Sequence, residues 1–169
     1  MFKIILFIFI LLTSLNAYVS EDKLKVVIVG KVAKYITFKD IDKDNFIITV
    51  YKNRCNNLFD EIYKNKKIKN KPVKINYIDN IDELNSTNIL YVSKINTLEL
   101  TEILQKTINK NILTISDTRG FAHKGGVIQL YFISQKLKIK INTQSATKQN
   151  LKMESTLLRI ADVVKGKKQ

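Results

Sequence analysis

The stretch ILYVSKINTLELTEILQKTINKNILTI, residues 89–115, decides the fold class. Ile89 to Val92 is an apolar run with no polar break, the pattern of a strand covered on both faces. Thr97 to Ile108 reads as a helix that Thr97 caps, with Glu99 and Glu102 in its early turns, where the helix dipole favours acids. Ile112 to Ile115 (ILTI) is a second short buried strand. Strand, helix and strand at this spacing form the unit from which parallel sheets are built.

The flanking segments continue the alternation. Upstream, residues 23–36 place Leu24, Val27, Ile28, Val32 and Ile36 at helical spacing. FIITVY (46–51) is a β-branched run that reads as a buried strand, and 57–63 is a short amphipathic helix. Residues 64–71, nearly all Lys and Asn, read as a solvated turn closed by Pro72, and 73–78 as an alternating strand. Downstream, a loop at 116–126 leads into two strands joined by a tight turn, 127–133 and 137–141. Residues 155–164 put Leu157, Leu158, Ile160, Ala161 and Val164 on one face of a C-terminal helix. The expectation is a three-layer α/β domain with a mostly parallel sheet, an antiparallel hairpin at one edge and a C-terminal helix.

The start of the chain bears on its compartment. Lys3 precedes the apolar run Ile4 to Leu12, and Thr13 to Ala17 turns small and polar, the layout of a cleavable secretory signal peptide at residues 1–17. The apolar run is shorter than the roughly 20 residues a membrane span needs, so no integral span is expected after cleavage. Residues 18–169 then form one domain without repeat or linker. The only cysteine, Cys55, has no partner for an intramolecular disulfide and reads as buried near a helix start.

Composition looks more informative than it is. The 169 residues carry 29 Lys and Arg against 15 Asp and Glu, a formal net charge of +14. Of the basic residues 26 are Lys and three are Arg, beside 25 Ile and 16 Asn, a bias that A/T-rich coding sequence accumulates. Arg, the residue suited to bidentate recognition of phosphate and bases, is scarce. An exported protein rarely meets nucleic acid, so none is expected as a partner. Anionic lipid, cell wall and acidic protein faces remain as partners for the charge.

The loop SDTRGFAHKGG (116–126) is the densest polar constellation. It follows a buried strand at its C-terminal end, where α/β sheets place ligands. Its glycines match neither GxGxxG nor GxxxxGK[ST], and a strand follows where a phosphate loop needs a helix. It reads as a structured turn in which glycines take positive φ, Phe121 tucks under the chain and Asp117 pairs with Arg119. His123 has no His, Cys or acid at ligand spacing, so no metal is expected. No catalytic triad or paired-carboxylate motif stands out, so neither catalysis nor a cofactor is expected.

Three motifs in order resemble the YfiR/HmsC-like family (DUF4154). The first helix ends in Ala33-Lys34-Tyr35, followed by Phe38. The loop supplies Ser116-Asp117, Gly120-Phe121-Ala122 and Gly125-Gly126. The C-terminal part supplies Ile141-Asn142, Ala146, Leu151 and Leu157-Leu158-Arg159-Ile160-Ala161. Three departures stand out: Phe38-Lys39 replaces the usual Trp-Pro, Asn150 stands where a Gly is expected, and the cysteine pairs of some members are missing. The resemblance implies a non-catalytic, likewise dimeric periplasmic regulator. It would bind the periplasmic part of an inner-membrane diguanylate cyclase (a GGDEF protein) and hold it inactive. That lowers cyclic-di-GMP and restrains biofilm formation, until an outer-membrane lipoprotein or envelope stress releases the enzyme. Related domains serve as sensors on hybrid histidine kinases, which leaves a small-ligand sensor as the alternative. With an aromatic between glycines beside the densest polar cluster, the expected partner or dimer surface is Arg119, Phe121 and His123 of the loop with Ile128 and Leu130 of the next strand.

Overall fold

The computed structural model describes residues 20–39 and 44–164; the proposed signal peptide lies outside them. Five α-helices are described: α1 (Glu21–Ala33), α2 (Leu58–Tyr63), α3 (Thr97–Thr107), α4 (Thr143–Lys148) and α5 (Ser155–Arg159). The strands are β1 (Ile36–Thr37), β2 (Phe46–Tyr51), β3 (Lys67–Ile68), β4 (Lys71–Ile78), β5 (Ile89–Val92), β6 (Leu113–Ser116), β7 (Ile128–Ile133), β8 (Lys136–Asn142), β9 (Lys152–Met153) and β10 (Asp162–Val164). Eight of them form one sheet in the order β10-β8-β7-β6-β5-β2-β4-β3, and β1 pairs with β9 in a two-stranded sheet. The pairs β2–β4, β2–β5, β5–β6, β6–β7 and β8–β10 are parallel, while β7–β8 and β3–β4 are antiparallel. The expected α/β architecture is present.

Strand alternation sorts the side chains onto two faces. Phe46, Ile48 and Val50 of β2, Ile89 and Tyr91 of β5, Leu113 and Ile115 of β6, Ile128 and Leu130 of β7, and Ile139 and Ile141 of β8 share one face. They pack there with Val26, Val29 and Val32 of α1 and Phe59 and Tyr63 of α2. Opposite, Tyr51, Ile78, Leu90 and Val92 meet Ile103 of α3. Tyr63 locks α1 to α2: its hydroxyl donates to the Val26 carbonyl and accepts from Gly30 N–H, both at 2.6 Å. A Cβ on Gly30 would stand 2.6 Å from that ring, so glycine here is a packing requirement.

Several elements differ from the sequence reading. The helix after β5 is capped by Asn96, not Thr97: Asn96 accepts from Glu99 N–H while the Glu99 carboxylate accepts from Asn96 N–H, a capping box. The C-terminal helix stops at Arg159, and Asp162–Val164 pairs with β8, placing β10 outside the β7–β8 hairpin. The reason is backbone accounting. The outer edge of β8 offers unpaired donors and acceptors, and β-branched Val163-Val164 suits a strand better than a helix end. The Lys/Asn segment is not a loose turn either. Lys67 and Ile68 pair with Pro72 and Lys71 around Lys69 and Asn70, both at positive φ, the geometry of a tight hairpin. Asparagine repeats this role across the chain. Ten described residues other than glycine have positive φ and six are Asn (56, 65, 70, 109, 111 and 150), so the Asn-rich composition supplies turns that five glycines could not.

Candidate functional site

The loop after β6 runs back over the α3 side of the sheet and is fastened at every step. Ser116 Oγ accepts from Thr118 N–H at 3.0 Å and donates to Thr118 Oγ1, which also accepts from Ile95 N–H. Successive turns bond Phe121 N–H to the Thr118 carbonyl, Lys124 N–H to Gly120 and Gly126 N–H to Phe121. Gly120 and Gly125 take φ of +80° and +112°, as the turn reading requires. Gly126 serves differently: a Cβ there would lie 2.1 Å from the Phe121 ring, so the glycine makes room for the buried aromatic. Asn142, at the end of β8, donates to the Ala122 carbonyl at 2.7 Å and accepts from Ser145 N–H, fixing the loop and capping α4 together.

The structure separates the five residues expected on one surface. Arg119 and His123 are exposed. Phe121, Ile128 and Leu130 are each 0% exposed. Phe121 lies beneath the loop against Gly126, while Ile128 and Leu130 point through the other face of the sheet into the α1–α2 core. In this fold those three side chains lie beneath the surface on which Arg119 and His123 stand. The physical reason is alternation: β7 turns even-numbered residues to the core, and its name as a motif neighbour carries no information about face.

Asp117 does not pair with Arg119. Its Oδ2 accepts from Lys25 Nζ of α1 at 2.8 Å, and the same ammonium reaches Asp22 at 2.9 Å. Burial pulls the Lys25 ammonium down, but its hydrogen bonds and charge attraction to Asp117 and Asp22 outweigh this and leave its pKa above the ordinary lysine value. The loop is thereby tied to the first helix from 92 residues away. Asp117 Oδ1 is buried without a protein partner. Below it, Cys55 is buried and its thiol is pushed up chiefly by burial, so it stays protonated near neutral pH.

The remaining motif residues also hold the fold. Ala33 is fully buried at the end of α1. The Lys34 carbonyl accepts from Lys69 Nζ, and the Tyr35 carbonyl accepts from Glu154 N–H at 2.9 Å, joining the first motif to the last. Leu157 is buried, Leu158 packs against the same core, and Arg159 is exposed.

Beside the loop lies a feature the sequence did not announce. A half-open groove of about 640 Å³ runs between α3, residues 120–125 and α4. Leu100, Leu104 and Ile108 form its apolar wall, and His123, Lys124 and Lys148 stand at its edge; no lining residue is acidic. Its polar floor is already satisfied. Gln149 accepts from Lys110 N–H and Ile112 N–H and donates to the Thr107 carbonyl, and Thr114 Oγ1 accepts from Val127 N–H. Only the periodicity of α3 hinted at this wall; the opposing α4 was not read from the sequence. Among the described residues no group of three or more His, Cys, Asp or Glu could hold a metal ion, and no helix is long and apolar enough to cross a membrane.

Compared with known proteins, residues 22–162 match the family model described as YfiR/HmsC-like (DUF4154). No curated protein matches the chain.

Proposed function

We propose a regulatory role from one premise: the chain belongs to the YfiR/HmsC-like family. At the level of that family it is a periplasmic regulator of diguanylate cyclase. In the finer reading, it binds the periplasmic part of an inner-membrane GGDEF protein and stabilises its inactive state, with an outer-membrane lipoprotein as the releasing partner. Export by a signal peptide at residues 1–17, a single domain at 18–169, a homodimer and the lack of a catalytic step complete the reading. The mechanism is differential binding. To move a cyclase from mostly active to mostly inactive, the regulator must prefer the inactive state by several kcal/mol, of order 5 for a full switch.

The family match carries this proposal, and the rigid loop supports it by presenting Arg119 and His123 on a fastened surface. Such a surface loses little entropy on docking. The test is capture of the cognate GGDEF protein by R119E/H123A, whose substituted side chains are exposed and leave the core intact. Capture should weaken at least tenfold while the melting temperature holds. Undiminished capture would remove the loop from the interface.

The groove favours a second reading, a sensor of a small ligand signalling through a hybrid histidine kinase. Its size falls within the range of small-molecule sites, and its acid-free, lysine-bearing edge suits an anion with an apolar body. In a thermal-shift comparison of octanoate with octanol and octylamine, only octanoate should stabilise the protein, and Leu104→Glu should abolish the shift.

A further inference from the structure

We infer that the β3–β4 hairpin and the adjoining end of α1 form a docking surface for anionic phospholipid headgroups. The segment KNKKIKNKPVK (64–74) holds six lysines in eleven residues and no acid. A lysine run is ordinarily a solvated strip, but here it is folded. The hairpin pairing and the left-handed Lys69-Asn70 turn fix where the side chains leave the backbone. Lys69 Nζ donates to the Lys34 carbonyl at 2.9 Å, drawing the end of α1 with exposed Lys31 and Lys34 against the hairpin. The nearby acids of α2 are engaged: Asp60 accepts from the Tyr77 hydroxyl and Glu61 from Asn57. Tyr35, 38% exposed, sits at this same junction, an amphipathic ring of the kind found where apolar and polar phases meet.

The density of cations without an acid among them is what suits a field of phosphates. All are lysine, as are 26 of the 29 basic residues of the chain, so crowding and not residue type carries the argument. Lysine is a compact, hydrated point charge that attracts a diffuse field of phosphates without fixed geometry. Edge protection is a competing use of charge, since lysines on an edge strand prevent pairing with another chain. It accounts for Lys67 on the outer strand. It does not account for Lys31, Lys34, Lys64 and Lys66, which lie off the edge strand. Crowding like charges on one lip also costs self-repulsion, which an anionic surface relieves.

The experiment is vesicle co-sedimentation with protein purified from periplasmic extract, at low and at high salt. Vesicles are phosphatidylcholine alone or mixed with phosphatidylglycerol. The protein should sediment with the mixed vesicles at low salt and be released at high salt. K64E/K66E/K67E should lower that affinity at least about tenfold, given the contribution of each surface lysine. K94E/K110E/K136E, an equal charge change elsewhere, should lower it far less. Circular dichroism melts confirm that both variants fold. Equal losses in the two variants would reduce the effect to net charge and overturn the assignment. So would salt-resistant binding, binding to phosphatidylcholine alone, or capture of acidic proteins without any sedimentation with vesicles.

Discussion

The two faces of the large sheet are built from the same strands and could hardly differ more. Toward α1 and α2, the sheet residues of β2, β5, β6, β7 and β8 are all aliphatic or aromatic, and the cluster they join holds 25 buried residues among those described. Toward α3 the corresponding cluster holds seven, drawn from β2, β4, β5 and α3 with Ile81 and Ile112 of the adjoining loops. Beyond it, the α3 side of β6, β7 and β8 carries Thr114, Ser116, Gln129, Tyr131, Lys138 and Lys140. Tyr131 there donates to Asp162 and lies beneath Lys140. One face supplies stability; the other is polar enough to hold a hydrogen-bonded loop and an open groove. The core is thereby pushed to one side of the sheet.

That contrast can be broken by truncation. Phe59→Ala, removing a fully buried ring that stacks on Tyr63 and packs on Tyr91, should cost about 3–5 kcal/mol in urea unfolding. Leu100→Ala, equally buried but beside the open groove, should cost about 2–3 kcal/mol because water and the groove wall can fill the space. Equal costs would mean that the α3 face is packed as tightly as the other. Gln149→Ala tests the polar half. It strands the buried Ile112 N–H, while Lys110 N–H keeps the Thr107 carbonyl, and should cost about 1–3 kcal/mol, with faster amide exchange at Ile112.

The smallest effect belongs to the charged margin. The Lys52 hydrogen bond holds the Glu99 carboxyl below the usual carboxylate range. A lowered folded-state pKa means stability that is present above the ordinary carboxylate value and lost as pH falls through the folded one. Because the pair is only part-buried and solvent screens it, the loss on acidification should be well below the cost of Gln149→Ala. Glu99→Gln should flatten that part of the pH–stability curve.

Much of the fold was readable because its signals are local. Buried strands announce themselves by apolar runs, as at 46–51 and 89–92, where both strands begin and end as expected. The candidate loop was readable as a constellation, and its positive-φ glycines and buried Phe121 follow from its composition. What failed was partnership. Asp117 has Arg119 two residues away, yet bonds Lys25 across the fold. Phe121, Ile128 and Leu130 adjoin exposed residues in sequence but are buried, because neighbours along the chain need not share a surface. The Lys/Asn segment reads as unstructured because its outer strand is only two residues long and its turn uses no glycine.

By itself, the sequence determined that this is an α/β protein with its polar constellation at the end of a buried strand, and its motif order determined the family. The tertiary structure alone decided which side of the sheet each residue serves. It also brought the lysines of residues 64–74 against those at the end of α1 through the Lys69–Lys34 contact, where composition had offered only a total. The physical reason is that a strand covered on both faces has no polar residue to mark inside from outside. Electrostatic and hydrogen-bond partners separated by tens of residues meet only once the sheet has ordered its strands.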